Sequence, residues 1–432
     1  MSTQQRAGRP HTHTDRRPPE AVAGLAAFLH RGAGTDAERR AANWLAQRAA
    51  GPKTRVKVET FWCRPNWALA QAWHAALALA GSLVSVASAR AGGAMLLAAA
   101  VFVIADATTG RSPGRRLTPE RASQNVVVTH SVPGPDRVRL IITANYDAGR
   151  AGLVYRDGLR SLAARARSLV RGFTPGWTGW MALAMVWMLI TVILRLEGHH
   201  STALRVAQLL PTVGVMLGLA FLLELAGADW SPGAGDNATG ASVALLLSRA
   251  LAVSPPQRLQ IELLLTGAGD GDGAGLRHHL AAQRRTRGAS NTVVLGLAPC
   301  ASGEVHWWGS DGALVPVSYA PRLRALAGKL AAEQPQLGAR PYGGRGSTPA
   351  LPARRARIPA LALGCLDDRG LVPRSHQSGD VAAAVDRAAH DRAVQFGLML
   401  VDAIDAELGQ LAAEPVRRPG RRAGWLRGLR SR

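Results

Sequence analysis

The chain has 432 residues, 47% hydrophobic and 19% charged, with 52 basic against 29 acidic side chains and a net charge of +23. It is too apolar to be disordered as a whole and long enough to bury a large core, and collagen-like or coiled-coil compositions are excluded. Its three cysteines, Cys63, Cys300 and Cys365, are odd in number and far apart, which leaves neither a disulfide framework nor a four-cysteine zinc module and fits a reducing compartment.

Residues 1–19 hold Pro, His and Arg but no apolar run, so they read as a flexible basic tail and not as a secretory signal. Residues 20–66 read as two helices, at 19–30 and 36–50 with Thr35 as cap, and a strand at 55–61. Residues 67–108 form a first pair of apolar segments joined by the turn ARAGG, and residues 173–226 a second pair. A bilayer-spanning helix needs roughly 20 mostly apolar residues, and four segments approach that length, so two transmembrane hairpins are expected. Trp67, Trp177 and Trp180 fall near span ends, where indole rings favour the interface.

Between and after the hairpins, residues 109–172 and 227–413 alternate short β-branched runs (125–129, 138–143, 259–265 and 292–297) with amphipathic helices (241–252 and 381–411). That alternation predicts an α/β domain whose sheet is covered by helices, interrupted by the two hairpins. Lys and Arg crowd the side shared by the flanking polypeptide, while the hairpin tips hold only Arg90, Arg195 and Arg205. The positive-inside bias then puts the polar domain in the cytoplasm of a multi-pass plasma-membrane protein. All but three of the basic residues are arginine, a usage that points to a GC-rich bacterial genome. No basic helix is interleaved with stacking aromatics, so nucleic acid is not an expected partner. The C-terminal run, residues 414–432, suits an anionic membrane surface as well as it suits a solvated tail.

Candidate chemistry gathers where strands end. Asp147 follows the strand IITAN, Asp236 lies in GAGDNATG before a helix, Asp270 and Asp272 follow IELLLTGAG, and His376 lies in SHQSGD. Carboxylates and an imidazole from separate loops are ligand types that zinc accepts, although an isolated Asp in a Gly-rich turn is most often a turn former or a cap. Asp272 reads either as a turn residue or as a base, Cys300 either as a buried apolar side chain or as a thiolate, and His278 and His279 as helix-surface residues.

Together these segments resemble the aminopeptidase Y and bacterial leucyl aminopeptidase family of co-catalytic zinc exopeptidases. GTDAERRAANWLAQRA with RVKVETF is similar to that family's first helix and strand, and NVVVTH with RLIITANYDA to the strand pair ending in His-x-Asp-Ser. GAGDNATG is similar to its GADDNASG turn, GAGDGDGAGLR to GAEEEGLLGSR, TVVLGLAPCASG to the NLDMVG strand, and RIPALALG with SHQSGD to IPALAL and YHTPxD. The resemblance implies a zinc-exopeptidase-like fold, an α/β mixed sheet covered by helices, with Asp236 as the ligand that bridges two metals and a cis peptide after it. It further implies that Asp270 and His376 complete one metal site. The other site would have lost its His to Asn145 and its Asp to Ala298, while Asp147, which orients that His in the family, remains. The general-base Glu falls on Gly269. The expected cofactor is therefore one zinc ion or none. Two functions stay open: an impaired pseudo-peptidase that binds or regulates an unidentified peptide or protein partner at the bilayer, and a membrane-attached single-metal hydrolase acting on peptides or small amides.

Overall fold

The computed structural model describes residues 17–130, 137–169, 175–286 and 291–413, so the C-terminal tail and residues 1–16 lie outside the described residues. Its centre is a nine-stranded mixed sheet of β1 (Thr54–Cys63), β2 (Arg121–His130), β3 (Val138–Asn145), β4 (Leu259–Thr266), β5 (Thr292–Leu297), β6 (Glu304–Asp311), β7 (Val317–Ser318), β8 (Arg340–Gly343) and β9 (Ala360–Leu366). The order is β1-β2-β4-β3-β5-β9-β6-β7, with β8 pairing β6. β4, β3, β5 and β9 run parallel and are almost wholly buried, as aliphatic strands covered on both faces must be. β1, at the edge, alternates exposed and partly buried positions.

Helices cover the sheet. Asp36–Ala49 is capped by Thr35, whose hydroxyl accepts the Glu38 N–H at 3.2 Å. Gly240–Val253 and Arg387–Ala413 pack one face through Leu245, Leu247, Ala393 and Phe396. The predicted strands at 125–129, 138–143, 259–265 and 292–297 all appear, the first three of them longer than the aliphatic runs alone suggest.

Among the described residues four helices are long and apolar enough to cross a membrane: Trp67–Ala87, Ala89–Thr109, Trp177–Leu196 and Thr202–Gly227. The ARAGG segment is not a turn. The first hairpin breaks instead at Ser88, whose hydroxyl caps the second helix at Ala91 N, and ARAGG is already helical. Gly92 serves contact and not turning, because a Cβ there would lie 2.4 Å from the Ser85 backbone. Small residues let two helix backbones approach in this way. Across the hairpins Gln208 Nε2 donates to Ser82 Oγ at 2.8 Å and to Ser85 Oγ at 2.9 Å, a polar seam inside an apolar bundle. Leu83, Val86, Trp187, Ile190 and Leu210 face outward and exposed.

The bundle is fastened to the sheet by a buried charge network. Asp106, near the end of Ala89–Thr109, accepts from Arg115 Nε at 2.7 Å and Nη2 at 2.9 Å, and from Gln71 Nε2 of Trp67–Ala87 at 2.8 Å. Arg115 Nη1 stands 2.8 Å from Asp272 in the loop after β4. A second buried cluster lies between β1, β4 and the helix Ala274–Thr286, where His279 sits 3.2 Å from Glu59 and 2.8 Å from Glu262. His279 is therefore core and not surface, unlike exposed His278, because the helix turns it onto two carboxylates that need a donor.

Removing one partner of a buried ion pair leaves an uncompensated charge. Arg115→Ala should accordingly lower stability by about 3–5 kcal/mol in thermal unfolding of the detergent-solubilised chain, and the double change Asp106→Leu with Arg115→Met should recover much of it. The His279 cluster gives a pH prediction. Burial opposes the His279 charge, but hydrogen bonds to Glu262 and Glu59 outweigh it and raise its pKa, while the His279 bond holds Glu59 down at about 2. Its stabilisation is thus complete from the ordinary Glu range up to the ordinary His range. It is lost as pH rises through the raised His279 pKa, and on the acid side as pH falls toward 2. The stability difference between wild type and His279→Gln, followed by unfolding against pH, should shrink at both ends.

Candidate active site

The parallel strands β3, β4 and β5 end at one sheet edge, with Asn145 in register with Thr266 and Ala144 with Leu297. The loops carrying Asp147, Gly269–Asp272 and Ala298 therefore leave the sheet side by side, the crevice where α/β sheets place ligands. The turn before Gly240 and the loop after β9 add Asp236 and His376.

Three side chains meet there. His376 Nε2 lies 3.4 Å from Asp270 Oδ1 and 3.7 Å from Asp236 Oδ2. Its Nδ1 is 3.1 Å from the Arg150 carbonyl, a contact that makes Nδ1 the donor and turns Nε2 toward the carboxylates. Tyr155 stacks on the ring at 4.2 Å, and Gly149 leaves room for it, since a Cβ there would be 2.1 Å from His376 Cε1. Burial disfavours the imidazolium, but Asp270 and Asp236 outweigh it and raise the His376 pKa. The carboxylates have partners of their own: Ser375 Oγ donates to Asp236 Oδ2, and Trp67 Nε1, at the start of the helix Trp67–Ala87, donates to Asp270 Oδ2 at 3.4 Å.

Behind them stands a shell of buried carboxylates. Asp147 accepts the N–H groups of Gly269 at 3.1 Å and Asp270 at 3.0 Å, which fixes the loop that carries Asp270. Burial and then the Asp270 charge push Asp147 up to about 7. Asp380 accepts the N–H groups of Gly235 at 2.6 Å and Asp236 at 3.0 Å, and burial raises it to about 7. Glu38 accepts from Ala268 N, Gly34 N and Ser123 Oγ. Arg31, fully buried, donates to the carbonyls of Tyr146, Leu25 and Gly233. The peptide between Asp236 and Asn237 is cis, as the resemblance implies. Ala268, Arg374 and His376 all hold positive φ without being glycine, a conformation that costs of order 1–3 kcal/mol each and clusters at functional sites.

The opposite half of the site differs. Asn145 Oδ1 accepts a bond from Thr266 Oγ1 at 2.8 Å, and its carboxamide fills the space beside Gly269, where a Cβ would lie 2.1 Å from Asn145 Cγ. Ala298 offers no donor. Asp272 is held by Arg115 and Arg277 and so has the role of a structural anion. Cys300 is fully buried, with the Cys365 contact and then burial raising its thiol, and it behaves as an apolar side chain. As the side chains stand, no group of three or more His, Cys, Asp or Glu among the described residues is set out to hold a metal ion. The donor chemistry of Asp236, Asp270 and His376 fits one ion, while Asn145 and Ala298 do not fit a second.

The site opens into a cleft of about 470 Å³ lined by Asp236, Asp270, His376, Tyr155, Arg160 and Trp308, and also by Trp67, Gln71 and Trp177 from the near ends of the membrane-length helices. Arg31, Glu38, Ser375, Trp67 and Arg160 were not legible as site residues in the sequence. Asp380 carried a signal, since it closes the SHQSGD segment.

Solved structures share this fold. The zinc aminopeptidase BSAP from Bacillus subtilis is 14% identical, with 90% of this chain and 93% of that one covered and a TM-score of 0.50, and a second structure of it is 13% identical with a TM-score of 0.51. A glutaminyl cyclase from Porphyromonas gingivalis is 12% identical over 88% of this chain and 95% of that one, with a TM-score of 0.48. No family model matches the chain, and no curated protein matches it. The chain has a zinc-aminopeptidase-like fold.

Gly149→Ala should push the His376 ring from its place and cost about 1–3 kcal/mol of stability, the range for overpacking. Gly158→Ala, where a Cβ meets nothing within 4 Å, is the neutral or stabilising control in the same unfolding assay.

Proposed function

We propose that this is an integral membrane protein whose peptidase-like domain has lost hydrolytic competence and uses its cleft for binding. The observation that carries the reading is the packing of Asn145 against Gly269: the family's general-base position has no side chain, and its space is filled by the residue that replaces a metal-binding His. Loss of a general base alone costs roughly 10²- to 10⁴-fold in rate. The surviving half, Asp236, Asp270 and His376, is the set that would hold a single zinc ion. A zinc ion bound there would polarise a bound water or carbonyl oxygen. The chain's own groups would orient that site: Arg150 through His376 Nδ1, Asp147 through the Asp270 loop, and Asp380 through the Asp236 backbone.

The convergence of those three side chains also favours a second reading, a single-metal hydrolase acting on peptides or small amides. Turnover separates the two. Purified protein supplied with zinc should hydrolyse aminoacyl anilides no faster than a zinc-free control, and efficient zinc-dependent turnover would overturn the impaired reading. Gly269→Glu alone should reduce stability without creating activity, because its Cβ cannot coexist with the present Asn145 position.

The arginine distribution supports a cytoplasmic domain. Alkaline phosphatase fused after Ala413 should be inactive and a fusion at Gly198 active, and the reverse pattern would invert the topology.

A further inference from the structure

Beside the third span lies a groove of about 330 Å³. Gly179, Ala182, Leu183 and Val186 of the helix Trp177–Leu196 form one wall, and Leu314 and Pro316 of the loop between β6 and β7 form the other. The loop is pinned to the helix by Gly179 N–H donating to the Ala313 carbonyl at 2.9 Å. From Gly179 to Val186 the helix rises roughly 10 Å, the reach of a medium-length alkyl chain. The groove has one polar residue, Arg345, which also lines the cleft that holds Asp236 and His376, so the two adjoin at that side chain.

A second observation lies at the cleft end. Arg160 Nη2 donates to the Val372 carbonyl at 2.7 Å, while its buried Nη1 has no hydrogen-bond partner. A buried guanidinium N–H left open costs free energy until an acceptor reaches it. Its helix, Asp157–Leu169, buries no residue and exposes Leu159, Leu162 and Leu169 beside several arginines, the pattern of a helix lying in a membrane interface.

We propose that the cleft takes a single-chain lipid with an anionic carboxylate head, its alkyl chain in the groove along the third span and its head on Arg160. This rests on the reading of the cleft as a binding site. Moving an alkyl chain from bilayer to groove exchanges one apolar surrounding for another, so the groove supplies the address and Arg160 the discrimination. A charge-assisted hydrogen bond of this kind corresponds to about ten- to hundredfold in affinity.

The test uses the full chain in phosphatidylcholine nanodiscs and N-dodecanoylglycine carrying a photoreactive diazirine at its chain end, with labelled peptides mapped by mass spectrometry. Labelling should concentrate on residues 179–186. Unlabelled N-dodecanoylglycine should compete at least tenfold better than its methyl ester or N-acetylglycine. Val186→Trp should remove the concentrated labelling, and Arg160→Gln should abolish the preference for acid over ester, with Arg160→Lys restoring part of it. Labelling spread evenly over all four helices, or equal competition by acid and ester on the wild type, would mean bulk lipid only and would overturn the proposal, whether or not Arg160→Gln folds. Each measurement is made with zinc and with chelator. Specific labelling without any zinc binding would fail only the metal reading, and zinc binding without specific labelling would fail only this one.

Discussion

Arg115 joins the apolar helices to the sheet through a buried charge network. One edge of its guanidinium is neutralised by Asp106 inside the first hairpin, and one nitrogen reaches Asp272, two residues beyond Asp270. A buried Asp at a span end would be costly alone, and so would a buried Arg, so each requires the other. The loop after β4 is thereby set by the position of a membrane-length helix as well as by its own strand. Trp67 repeats the arrangement from the first span, donating directly to Asp270. The near ends of the apolar helices are thus built into the wall of the cleft.

The three converging side chains have further supports within the sheet domain. Asp236, Asp270 and His376 are each supported from behind, by Asp380, Asp147 and the Arg150 carbonyl, and those supports are buried and satisfied. The other half has collapsed toward an ordinary packed interior. Asn145 takes a hydrogen bond from Thr266 and occupies the room beside Gly269, as a buried carboxamide must find protein partners.

Much of the fold was legible in the sequence, because buried parallel strands and membrane-length helices write their environment into composition. β3, β4 and β5 are continuous aliphatic runs, and the four long apolar segments stand out against an arginine-rich background. β6, β7 and β8 were not legible: EVHWWGSD mixes charge and aromatics at a partly exposed edge, and two- to four-residue strands leave no period to read. ARAGG failed because Gly signals a turn in isolation but a close helix contact in a bundle. Asp147, Asp236, Asp270 and His376 could be picked out by their places beside strand ends and helix starts, but their roles came only from the resemblance, since an Asp in a Gly-rich turn has no distinctive spacing. Arg31 and Arg160 had no signal at all among so many arginines; full burial sets Arg31 apart, and an unpartnered Nη1 sets Arg160 apart.

The central claim is that the cleft retains the ligands of one metal and has lost those of its partner. Zinc content of the purified, detergent-solubilised protein after equilibration with excess zinc and gel filtration tests it most directly. The account predicts no more than one zinc per chain, with any bound zinc lost in His376→Ala; about two per chain, or undiminished zinc in that variant, would contradict it.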